Sequence, residues 1–144
     1  MKAENANMAE RWREQVRQFL EEHHRIVHMA EGLSAALARE DGALAFDHVT
    51  ALQTRLYAHC AKENRFFQEF LAGAGLEGVM TAPFESTRRL AHDWAAFQSR
   101  WMSRETVEAD FVSFRHDVRH LLERLEIRVA AEEPIYRRIL DEGE

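Results

Sequence analysis

The chain has 144 residues, 46% hydrophobic and 31% charged, with a net charge of −6. That length suits one domain with one core, and the balance of residues excludes a disordered chain. Mixed charge of net acidic sign excludes the clustered basic footprint of a nucleic-acid binder.

Apolar runs of only a few residues exclude a membrane span, and MKAENANMAERW lacks the apolar stretch of a secretory signal. The single cysteine, Cys60, has no internal disulfide partner, which suits a reducing cytoplasm. Eight His and nine Phe stand out, and the histidines call for a search for metal-ligand spacing. With six Gly and two Pro, punctuation is sparse and leaves four segments of helical length.

A first helix is predicted from about Asn5 to Arg39, stopping at Asp41-Gly42, with Val16, Phe19, Ile26, Ala30, Leu33 and Leu37 on one stripe. A second runs from about Ala43 to Ala72 and ends at Gly73-Ala74-Gly75, with Leu52, Leu56, Phe66 and Phe70 aligned. A turn follows, with room for one helical turn over Leu76 to Met80. The third starts near Pro83, where a missing amide costs nothing, and ends around Ser103. The fourth runs from near Glu105, with Ser103 or Thr106 as cap, to about Asp141. Its stripe joins Phe111, Phe114, Val118, Leu121, Leu125, Val129, Tyr136 and Ile139, and Pro134 is expected to bend it. Four amphipathic rods with short links predict an all-α, up-down-up-down antiparallel four-helix bundle over the whole chain.

Polar residues that break the apolar stripes carry the chemistry. His23 lies four residues after Phe19 and three before Ile26, in the middle of the first helix's apolar face. Pattern fixes helix phase only to about one position, so His23 and His24 both stay candidates for the inward residue. His59 and Glu63 share one face of the second helix between Leu56 and Phe66, where a carboxylate is costly unless paired, protonated or bound to a cation. Arg128 and Glu132 repeat that four-residue spacing between Leu125 and Tyr136. On the third helix, Leu90, Trp94, Phe97 and Trp101 form one stripe and His92 falls nearly opposite it. Periodicity favours the aromatic stripe as the inner face, with His92 outside.

These stretches together resemble the hemerythrin-like family of HHE cation-binding bundles. The resemblance lies in EEHHRIVHMAEGL with His23, HCAKENRFF with His59 and Glu63, RRLAHDWAAF with His92, and RVAAEEPIYRRI with Glu132, Glu133 and Pro134. It covers nearly the whole chain and implies a metal centre on His23, His59, Glu63, His92 and Glu132, iron first, with manganese or zinc as alternatives. It also implies that His92 points inward. Trp94, Phe97 and Trp101 would then be partly exposed and suit a homodimer contact, the alternative being that a twisted helix buries them at the core's edge.

Where the family places its fourth-helix His, this chain has Arg128. A guanidinium stays protonated and offers no lone pair, so it cannot ligate, and its charge repels a second divalent ion. At most one firmly bound metal is therefore expected. The activities implied are binding or sensing of a diatomic ligand such as oxygen or nitric oxide, or iron sensing or storage; reversible oxygen carriage, which needs two irons, is disfavoured.

The competing expectation is a metal-free interaction module in which Arg128 pairs with Glu132 or Glu63 in place of the cation. His116 with His120, and His24 with His28, read as solvated pairs. His48 lies about 16 Å along the helix from His59, too far to share an ion, and Cys60 reads as packing. Nucleophilic triads, phosphate loops and acid–base carboxylate pairs are not found, so no enzyme is expected.

Overall fold

The structure, a computed structural model, describes residues 2–74 and 82–141, with side chains for residues 6–70, 72 and 88–141. Those residues form five α-helices and no strand: α1 Lys2–Ala38, α2 Gly42–Ala74, α3 Ala82–Arg100, α4 Arg104–Ala109 and α5 Phe111–Asp141. The helical turn expected over Leu76–Met80 lies outside the described residues.

Local chemistry explains the boundaries. At the end of α1 the amides of Glu40 and Asp41 return to the carbonyls of Leu37 and Ala36, the paired bonds of a Schellman motif. The motif holds Glu40 at φ 57, the left-handed region that favours glycine. Replacing Glu40 by glycine is therefore expected to stabilise the fold by about 1 kcal/mol, raising Tm by about 3 °C in a thermal melt. Asp41 then starts α2 by accepting from the Leu44 amide at 3.0 Å.

One helix was expected from Glu105 onward, but the chain breaks at Asp110 into α4 and α5. Asp110 takes φ −146 and ψ 67, closing α4, and its Oδ1 accepts from the Ser113 amide at 3.2 Å, capping α5. Ser103 caps α4 in the same way, accepting from Thr106. From there α5 runs through Pro134 as a single element.

Residue pairing fixes how the helices run. Along α1 and α2, Trp12 meets Phe70, Phe19 meets Phe66 and His23 meets His59, so the two are antiparallel. The pairs Phe19–Tyr136, His23–Glu132 and Glu40–Arg115 give the same relation between α1 and α5. Asp93–Arg124 and Trp101–Phe114 give it between α3 and α5. The short α4 packs on α2, where Arg104 forks onto Asp47 at 2.7 and 2.9 Å.

The core has two apolar parts. The larger runs from Ile26, Leu56 and Leu125 to Trp101, Val107 and Phe114; the smaller joins Val16, Phe19, Phe66, Phe67 and Tyr136. Trp94, Phe97 and Trp101 belong to the larger part at 2%, 7% and 5% exposure. This corrects the exposed aromatic patch in favour of the alternative, rings covered by their own chain, and takes that support from a homodimer contact. A helix of this length presents one inner face, and three rings of roughly 150–250 Å² each outweigh one imidazole in claiming it. No described helix is long and apolar enough to cross a membrane.

Candidate metal centre

Between the two apolar parts lies a layer of buried polar side chains: His23, His59, Glu63, Arg128 and Glu132. Each stands on the inner stripe of its helix, flanked one turn away by apolar neighbours, so helix formation alone carries it into the interior. His23 comes from α1, His59 and Glu63 from α2, and Arg128 and Glu132 from α5.

His23 Nε2 lies 3.1 Å from Glu132 Oε2, 3.8 Å from Glu63 Oε2 and 3.1 Å from His59 Nε2. His59 Nε2 lies 3.0 Å from Glu63 Oε1. At 3.1 Å the two Nε2 atoms face each other at hydrogen-bonding distance, with donor and acceptor roles set by the tautomers. The ligand atoms of His23, His59, Glu63 and Glu132 all lie within 4.8 Å of one another, and this buried group could hold a metal ion. Imidazole nitrogen with carboxylate oxygen is a donor set that suits divalent transition metals.

A surrounding shell completes the layer. The Nδ1–H of His59 donates to Glu22, whose other oxygen takes Lys62 Nζ at 3.2 Å. That bond fixes the tautomer and turns the Nε2 lone pair of a neutral His59 toward the centre. Tyr136 donates its hydroxyl to Glu63 Oε2. Arg128 donates through Nε to Glu132 Oε1 at 2.6 Å and through Nη2 to Glu63 Oε1 at 3.1 Å. Buried His23 Nδ1 has no hydrogen-bond partner among the described residues.

Charge in this dry layer moves the protonation of every member. Burial disfavours the charged imidazole of His23, but the carboxylates of Glu132 and Glu63 prevail and raise it from 6.5 to about 9. His59 is raised as well, with Glu63 and Glu22 overcoming its burial. Burial opposes ionisation of Glu63, yet the imidazoles of His23 and His59 beside it hold it well below the ordinary carboxylate range. Glu132 goes the other way, raised by burial and by the neighbouring charge of Glu63. Burial likewise pushes the Tyr136 hydroxyl upward, keeping it a donor.

Of the five residues named from the sequence, four therefore meet and His92 does not. It lies on the exposed side of α3, in a surface hollow with Arg88, Arg89, Asp93 and Arg124. The inward orientation that the resemblance implied for it is corrected, and the periodicity of α3 pointed the right way. His24 is exposed, which assigns the inward position on α1 to His23. His28, His116 and His120 are exposed too. Cys60 is half-buried, with its thiol pushed up to about 11 by burial, so it stays a packing residue.

Sequence reasoning missed Glu22 and the role of Tyr136. Tyr136 carried a signal, since it sits one turn beyond Glu132 on the same stripe with a hydroxyl that must find a partner when buried. Glu22 carried none, because its contact with His59 exists only once α1 and α2 pair. No protein-family model matches the chain, and neither does a curated protein or a solved structure.

Proposed function

We propose that the chain is a metal-binding protein of the hemerythrin-like type, holding a single ion on His23, His59, Glu63 and Glu132. In this reading α1, α2, α3 and the combined α4–α5 are the four rods of an up-down-up-down bundle. The observation that carries it is the convergence of four buried donors from three helices, with Glu22 bound to the outer nitrogen of His59. Such a carboxylate behind an imidazole is a recurrent companion of metal-ligating histidines. Iron is the leading ion, with manganese and zinc compatible with the same donors. Bound iron would supply a point of attachment for a diatomic ligand such as oxygen or nitric oxide, the basis of a sensing role in the cytoplasm; iron sensing or storage is the related alternative. Arg128 in place of a ligand and His92 on the outside both support one ion rather than two.

A second reading, a metal-free interaction module, draws on one specific contact. Arg128 bridges Glu63 and Glu132 and supplies the positive charge a metal would otherwise bring. Metal analysis of untagged protein expressed with added iron separates the two. About one ion per chain, lost in His59→Ala, supports the metal-binding protein; a content near zero rejects it in favour of the module. Glu22→Gln probes the shell: metal affinity is expected to fall roughly 10–100-fold in a chelator competition.

A further inference from the structure

We infer that Arg128 makes the centre selective for divalent over trivalent ions, an inference that rests on the metal-binding reading above. The guanidinium is buried and bonds to one oxygen of each carboxylate that would ligate, 2.6 Å from Glu132 and 3.1 Å from Glu63. Its charge thus stands one carboxylate's width from any ion those groups hold. Arginine cannot relieve the repulsion by losing a proton, as a lysine or histidine would.

The fixed charges are few. Glu63 and Glu132 contribute two negative charges and Arg128 one positive, while Glu22 is offset at the surface by Lys62. With ligating imidazoles neutral, a divalent ion leaves one net positive charge in the layer and a trivalent ion leaves two. A unit charge roughly 6 Å away at an effective dielectric near 20 changes an equilibrium on the order of a hundredfold, and this acts on the extra charge alone. Arg128 also holds Glu132 Oε1, which turns Oε2 toward His23 and the centre. For iron, the ferrous state is the one the layer holds.

Competition titrations with zinc and gallium against a buffered chelator test this on the wild type, Arg128→Gln and Arg128→Lys, with folding checked by circular dichroism. The zinc-to-gallium affinity ratio is expected to fall on the order of a hundredfold in Arg128→Gln and by less in Arg128→Lys, whose ammonium keeps the charge until it gives up its proton. A ratio that stays within threefold of wild type in Arg128→Gln overturns the inference and leaves metal binding intact. Failure of all three proteins to take zinc overturns the metal-binding reading, and the inference with it.

If Arg128→Gln does not fold, the wild type still decides the matter. Iron loaded anaerobically as ferrous ion should be lost on desalting after oxidation with ferricyanide, and full retention as ferric ion overturns the inference.

Discussion

Replacing Glu63 with alanine is expected to lower stability by about 3–5 kcal/mol, read from urea unfolding of the metal-free protein at pH 7. Glu63 is 0% exposed, and its two oxygens serve four partners: His59 and Arg128 at Oε1, Tyr136 and the more distant His23 at Oε2. Removing it takes one of two carboxylates from the guanidinium, the acceptor from a buried hydroxyl, and the strongest counter-charge from His59. Each loss is a desolvation cost that water cannot repair, because apolar clusters close the layer above and below. Glu63→Gln should cost less, since the amide oxygen still accepts from Tyr136 while the charge is gone. A fall under 1 kcal/mol for the alanine variant would show that solvent already reaches the layer.

The second large effect is a loss of stability of about 3 kcal/mol in the metal-free protein as pH rises from 6.5 to about 9. The sign follows from His23, raised from 6.5 to about 9 by the carboxylates that outweigh its burial. Below 6.5 the imidazole is protonated both folded and unfolded, and the full stabilisation is present. Between 6.5 and 9 the unfolded chain gives up the proton first, so the advantage of the folded state drains away. His59, also raised, acts in the same direction. Glu63 opposes them at the acid end: held below the ordinary 4.5, it contributes stability that is lost as pH falls through that range.

Urea titrations at pH 6, 7.5 and 9 read the alkaline limb, and His23→Gln should flatten it. Metal ligation uses the same Nε2, so zinc affinity should rise about tenfold per pH unit below about 9, and more steeply where His59 is protonated as well. Opposite slopes with and without metal distinguish ligation from simple stabilisation by salt. An unchanged alkaline limb in His23→Gln would assign the titration to another group.

Helical structure was legible because nothing in the sequence competes with a 3.6-residue period, and the inner faces of α1, α2 and α5 follow from their stripes. His59, Glu63 and Glu132 were legible as inward for the same reason, each interrupting a stripe at a position its helix must bury, while on α1 the pattern left the choice between His23 and His24 open. The break at Asp110 was not, because Phe111 and Phe114 continue the stripe of the residues before them. An aspartate there reads as a mildly unfavourable helix residue rather than as a cap closing one helix and opening another. His92 shows two lines of reading in conflict. The period of α3 placed it outside and the family likeness placed it inside, and burial of Trp94, Phe97 and Trp101 decided for the period. Glu22 lay beyond reach because a bond between residues 37 apart depends on how two helices align, which no local pattern encodes.

Among the described residues, α3 sends no side chain into the polar layer. The relative heights of α1, α2 and α5 are therefore indexed by hydrogen bonds that a slip of one turn would sever all at once. Over residues 88–100, whose side chains are described, α3 is held by ring packing and by rim contacts such as Asp93–Arg124 and Tyr57–Gln98. Evolution can accordingly retune that rod, in length or tilt, while the donor geometry on the other three stays where it is.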